Sequence, residues 1–213
     1  DARGNRTRPP CSYGAQQLNN LEAFQSEYQE PADSIGHKIR KLGLQMRTNL
    51  PVTTVEYPIS DETIIVSKTD LKGKLTYFNA AFVAASGFTE AELIGQPHNI
   101  VRHPDMPPEA FANLWETLKG GNPWVGAVKN RRKNGDFYWV LATASPVREN
   151  GQIVGYTSIR TRLSADQREE AEKVYKLLRD RKAQDYRISA GVIRRRSVVD
   201  RLSFFTGTLK ARL

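Results

Sequence analysis

Apolar positions are sparse over the first 45 residues and dense between about 63 and 162. Thr63-Ile64-Ile65-Val66-Ser67 is β-branched and predicts a strand. The turn Asp70-Leu71-Lys72-Gly73 leads into Leu75-Thr76-Tyr77-Phe78, so the two runs predict a hairpin. Asn79 predicts the cap of a short helix through Phe82 and Val83, closed by Gly87. Thr89-Glu90-Ala91-Glu92 reads as a capping box for a second short helix, ended by Gly95. A longer helix is expected over Glu109 to Lys119, with Phe111, Leu114, Trp115 and Leu118 on one face. Three strands follow. The first runs from Trp124 to Lys133, with Trp124, Gly126, Val128 and Asn130 on one side. Asn134-Gly135 turns it into Phe137 to Arg148, and Glu149-Asn150-Gly151 turns that into Gln152 to Thr161. The pattern is α+β: a five-stranded antiparallel sheet with short helices on one face and a flanking C-terminal helix.

The flanks read differently. Residues 1–45 are polar and weakly periodic and predict a poorly ordered or loosely helical extension. Met46-Arg47-Thr48-Asn49 looks like a native start. Residues 46–62, with Pro51 and Pro58, suit an arm or cap on the 63–162 domain. Ser164-Ala165-Asp166-Gln167 is a second capping box, opening a charged linker or signalling helix within 163–186. Its narrow stripe of Ala171, Val174, Tyr175 and Leu178 suits packing on a partner helix or one sheet edge. Residues 187–213 carry Arg194-Arg195-Arg196, with Val198, Leu202, Phe205 and Leu209 at helical spacing. That tail reads as basic, amphipathic and suited to a membrane surface.

Charge sharpens this picture little. The chain has 213 residues, 39% of them hydrophobic, and a net charge of +9 concentrated at the ends and in Lys129-Asn130-Arg131-Arg132-Lys133. That run lacks the neighbouring aromatic platform of a single-strand binder, so nucleic acid is not expected. The single cysteine, Cys11, excludes an intramolecular disulfide and a multi-cysteine metal site. No run of 18 apolar residues and no secretory leader is read, so a cytoplasmic location is expected. No Ser/His/Asp order or paired-carboxylate site stands out, and the chain is not expected to be an enzyme.

The candidate chemistry gathers in Gln96-Pro97-His98-Asn99-Ile100-Val101-Arg102-His103-Pro104-Asp105-Met106-Pro107, with two of the three histidines. Its prolines preclude one regular helix, and its apolar centre suits covering a core or lining a pocket.

The motifs Ser67-Lys68-Thr69-Asp70, Asn79-Ala80-Ala81-Phe82, Ser86-Gly87-Phe88, Leu93-Ile94-Gly95, His103-Pro104-Asp105-Met106-Pro107, Lys129-Asn130-Arg131-Arg132-Lys133-Asn134-Gly135-Asp136, Tyr138-Trp139 and Gly155 to Arg162 closely resemble the PAS sensor domain of bacterial aerotaxis receptors. The likeness runs from about Pro51 to Leu178. It implies a PAS fold, an FAD cofactor whose redox state is sensed, and signalling to a HAMP and chemoreceptor-type region. It also implies self-association as a homodimer and a position at the inner face of the cell membrane within a full receptor.

The resemblance implies cofactor roles for Arg102, His103 and Asp105, with Arg102 offering a cationic fork. Asp105 as a helix cap and His103 as a satisfied structural histidine are the competing readings. Asn79 and Asn130 match flavin-associated positions, and an asparagine offers a donor and an acceptor to a ring edge; a helix cap competes for Asn79. Trp124 and Tyr156 project from strands and suit packing on the ring or coupling it to the sheet, with an ordinary core role competing for each. Phe111 reads first as core, though the resemblance associates its position with cofactor binding. Two alternatives remain: a cofactor-free PAS interaction module, and a haem sensor ligated through His98.

Overall fold

The computed structural model describes residues 48–196. Expectations for 1–45, the proposed start at Met46, Cys11 and the helical spacing from Val198 to Leu209 lie outside the described residues. Within them, the strands are β1 (Ile65–Asp70), β2 (Leu75–Phe78), β3 (Trp124–Arg131), β4 (Phe137–Glu149) and β5 (Gln152–Arg162). They form one antiparallel sheet in the order β2-β1-β5-β4-β3. The first hairpin and the last three strands therefore meet where β1 pairs with β5, with Ser67 opposite Ser158 and Thr69 opposite Tyr156. Gly155 permits this join, because a Cβ there would collide with the Thr69 carbonyl oxygen.

Between the halves lie α1 (Ala80–Ser86), α2 (Glu90–Leu93), a 3₁₀ turn at His98–Val101, and α3 (Pro108–Lys119). The predicted caps hold. Asn79 accepts from the Phe82 N–H, and Gly87 closes α1 in the left-handed conformation. Thr89 and Glu92 cap reciprocally. The helices cover the sheet face that carries Trp124, Val128, Tyr138, Val140, Ala142 and Ala144, all buried. Alternation along β3 and β4 puts Lys129, Trp139 and Leu141 on the other face.

That outer face receives α4 (Ala165–Arg179), whose buried residues are Ala171, Val174 and Tyr175. The Tyr175 hydroxyl donates to the Ala127 carbonyl at 2.8 Å, and its ring stacks on Trp139 with centroids 6.4 Å apart. The narrow stripe thus packs at the β3 side of the sheet, one of the two expected solutions. Helix α4 ends at Arg179, short of the expected 183–186.

Two segments differ from expectation. Residues 187–195 are not the start of a helical tail: β6 (Tyr186–Ser189) and β7 (Val192–Arg195) form a hairpin. It docks on β3 and α3: the Val125 N–H of β3 donates to the Ala190 carbonyl, and the Gly191 N–H donates to Asn113 Oδ1 of α3. Alternating Ile188 and Ile193 join the core margin, which favours strands over a solvated helix. At the other end, the arm is fixed by main-chain bonds from Thr53 and Tyr57 to the Gly135 and Phe137 carbonyls. Buried Arg131 donates to the Pro51 and Leu50 carbonyls at 2.7 and 3.1 Å. Among the described residues no helix is long and apolar enough to cross a membrane.

Candidate functional site

A cavity opens between the inner sheet face and the helices. It encloses about 110 Å³ and widens into a cleft open to solvent. The 3₁₀ turn and the residue after it supply His98, Val101 and Arg102; α3 supplies Phe111, Leu114 and Trp115. The sheet supplies Ser67, Thr69, Val128, Asn130, Tyr156 and Arg160, each on an inward phase of its strand. The Trp115 and Tyr156 rings meet edge to face at 5.4 Å and form an aromatic wall.

The polar groups of this cavity are poorly matched to one another. Asn130 is buried, and neither its Nδ2 nor the Thr69 Oγ1 has a hydrogen-bond partner. A buried polar atom left so costs about 1–3 kcal/mol, so both atoms are poised for an occupant. Arg102 donates through Nη2 to the Met106 carbonyl at 2.8 Å and lies 4.2 Å above the Phe111 ring. Burial brings its guanidinium down to about 10, still a cation at neutral pH.

Four of the eight residues expected from sequence line the cavity: Arg102, Phe111, Asn130 and Tyr156. The other four sit elsewhere, each for a visible reason. Asn79 is consumed by main-chain bonds. Its Oδ1 accepts from the Val66 and Phe82 N–H groups, and its Nδ2 donates to the Ile64 carbonyl. Trp124 is buried, donating to Asn113 Oδ1 and packing close to Gly191 of the hairpin. His103 and Asp105 lie round the edge of β3. The segment after the 3₁₀ turn runs beside that edge strand, with Arg102 bridged to Asn130. Extended backbone sends adjacent side chains to opposite sides, so Arg102 points in and His103 does not.

His103 instead accepts the Asp105 N–H at Nδ1 and meets the Phe137 ring edge-on. Asp105 pairs with Lys129 at 2.6 Å, and Arg179 at the end of α4 donates to the Asp105 carbonyl. Burial alone would raise the Asp105 carboxyl, but the Lys129 bond and charge, with the Arg179 charge adding, hold it below its usual range. Replacing Asn79 with Ala is expected to cost about 1–3 kcal/mol in urea unfolding while leaving the cavity's ligand affinity within twofold. A larger loss of affinity would return Asn79 to the site.

Sequence reasoning missed Arg160, Ser67, Thr69 and Trp115. The signal that could have found Arg160 is the inward alternation Tyr156-Ser158-Arg160 along β5. His98 was read only as an alternative haem ligand. Its Nε2 is engaged by Arg160 at 2.6 Å and by Ser67 at 3.1 Å, leaving no free nitrogen lone pair there for iron.

A five-stranded antiparallel sheet, short helices over one face and a cavity between them are the architecture of the PAS fold. Residues 75–160 match the family model described as PAS fold. The chain is 54% identical over 127 residues to the aerotaxis receptor of Escherichia coli (strain K12), covering 60% of this chain and 25% of the receptor. It is 27% identical over 107 residues to the nitrogen fixation regulatory protein of Klebsiella pneumoniae, covering 50% and 22%. The chain thus spans about a quarter of the length of these relatives. The dark structure of the blue-light photoreceptor Aureochrome1 LOV aligns at 20% identity with a TM-score of 0.45, covering 55% of this chain and 83% of that one. The resemblance to aerotaxis sensors read from the motifs is borne out.

Proposed function

We propose that this chain is the redox-sensing, FAD-binding PAS module of an aerotaxis-type signal transducer, relaying flavin state to a HAMP and chemoreceptor-type region. The observation that carries the reading is the cavity's mismatch: unpartnered Asn130 Nδ2 and Thr69 Oγ1 between aromatic walls, beside two buried guanidiniums. A planar, amphipathic ring with acceptor edges answers that set. Asn130 and Thr69 would meet its polar edge, Trp115, Tyr156 and Phe111 its faces, and Arg102 an anionic or carbonyl group. When bound, the flavin supplies reversible electron uptake; the protein holds it and tunes its electrostatics.

The likeness to the aerotaxis receptor supports the signalling assignment. Self-association is supported by apolar side chains exposed on the outer sheet face, Val125 and Ile159 among them. The basic C-terminal stretch would contact an anionic membrane surface, placing the module on the cytoplasmic side. Purified protein is expected to be yellow, with flavin absorption in the blue and near-UV that bleaches on anaerobic dithionite addition and returns in air. A folded, colourless dimer that takes up no added FAD would replace this reading with a cofactor-free docking module.

A further inference from the structure

Arg160 occupies the central strand of the sheet, 4% exposed, with its guanidinium in the cavity wall. Its contacts are all neutral. Nη1 donates to the Ser67 hydroxyl at 3.2 Å, Nη2 donates to His98 Nε2 at 2.6 Å, and the Phe82 ring lies 5.6 Å below. No carboxylate pairs with it among the described residues. The nearby Tyr138 phenol supplies no anion, since burial pushes it up to about 12. Burial brings Arg160 down to about 10, so it remains charged. His98 accepts at Nε2, which puts its proton on Nδ1 and makes it a neutral prop rather than a second charge.

A buried, unpaired cation is a costly arrangement that folding alone does not favour. Here it is backed by two acceptors that fix its direction and leave its charge uncompensated. We propose that Arg160, held by His98 and Ser67, is the charge-compensating residue of the cavity: it takes up the negative charge that a bound flavin acquires on reduction. This rests on the FAD reading above. Two electrons and one proton leave the ring with one negative charge, and a fixed guanidinium stabilises that form over the neutral oxidised one. Arg160 therefore raises the reduction potential, and the domain binds reduced flavin more tightly than it would with a neutral residue there. A diphosphate contact would be a different matter. Its charge is the same in both redox states, so it would shift both affinities equally and leave the potential where it was.

The test titrates full-length apoprotein with oxidised FAD and, anaerobically, with dithionite-reduced FAD, for the wild type, Arg160→Met and Arg160→Lys. Arg160→Met is expected to weaken reduced FAD at least tenfold more than oxidised FAD, equivalent to a midpoint about 30 mV lower for a two-electron couple. Arg160→Lys should stay within threefold of the wild type. In the apoprotein, Arg160→Met should melt at or above the wild-type temperature, because an uncompensated buried charge has gone. Equal weakening of both redox forms, no change in either, or an apo Arg160→Met protein that fails to fold each overturns the proposal while leaving the FAD reading intact. A wild-type protein that binds neither form overturns both.

Discussion

Acidification from pH 7 to 4.5 is expected to remove roughly 2–3 kcal/mol of unfolding free energy through His103 alone. His103 is 3% exposed, and burial followed by the Lys129 charge depresses it from 6.5 to about 4, with Asp105 opposing and Arg179 and Arg131 adding to the depression. The folded value lies below the unfolded one, so between 6.5 and about 4 the unfolded chain binds the extra proton. Stability from the neutral ring is whole above pH 6.5, falls as pH falls through that window, and is gone below about 4. His98 acts in the same direction, held well below its ordinary value by burial and by the Arg160 charge. Urea unfolding followed by circular dichroism at half-unit pH steps measures the slope. His103→Gln should flatten it by more than half its His103 share, and His98→Gln should flatten it further. A His103→Gln slope equal to the wild type's would show that His103 is protonated without cost in the folded state.

This pH dependence recasts what the proline-rich stretch does. His103 and Asp105 fasten the segment 102–106 along the free edge of β3. The His103 N–H lies 3.4 Å from the Lys129 carbonyl, and the Lys129 N–H lies 3.2 Å from Met106 Sδ. An unpaired strand edge needs such a cover, and covering it aims Arg102 inward. The same segment takes the Arg179 bond from α4. Loop, pocket wall and the helix that leaves the domain are therefore one mechanical unit, and positioning rather than contact is the role these two residues can fill.

The sheet was legible because its turns and phases are written locally. Asn134-Gly135 and Asn150-Gly151 place the hairpins, and alternation from Trp124 puts Val128 and Asn130 on the inner face. The same alternation carried Tyr156 to the cavity. Capping residues fixed α1, α2 and α4 to within a residue or two at their starts. The site was half legible. Prolines in 97–107 erase any period, so nothing local says that Arg102 and His103 face opposite ways; the β3 edge decides that, and it is a tertiary fact. Trp124 is inward as read, but the β6–β7 hairpin lies near its ring, and residues 187–195 looked like tail because three consecutive arginines masked the alternation of Tyr186, Ile188, Ile193 and Arg195. Arg160 was hidden by the general rule that charged residues stay solvated, and its violation marks where the fold departs from its own stability optimum.

Replacing Arg102 with Met should leave a folded protein whose affinity for FAD is about 10- to 150-fold weaker, the equivalent of one charge-assisted hydrogen bond of about 1.5–3 kcal/mol. Met rather than Ala is the informative change. Its length preserves contact with the Phe111 ring and avoids a void, so lost affinity reports lost charge. The cost to the fold is small because Arg102's side-chain bond to the Met106 carbonyl is local, while its main-chain carbonyl still receives the Asn49 amide at 2.9 Å. Arg102→Lys should recover part of the affinity, since a point charge replaces the fork but not its two directions. The contrast with His103→Gln separates direct from indirect roles. His103→Gln should lower affinity only as far as it lowers stability, and its loss should shrink at low temperature or in stabilising osmolyte. The Arg102→Met loss should persist unchanged in both. Equilibrium dialysis against FAD, paired with urea unfolding of each variant, measures the two quantities on the same preparations. If Arg102→Met loads as fully and as tightly as the wild type, the guanidinium faces the cavity without touching what fills it.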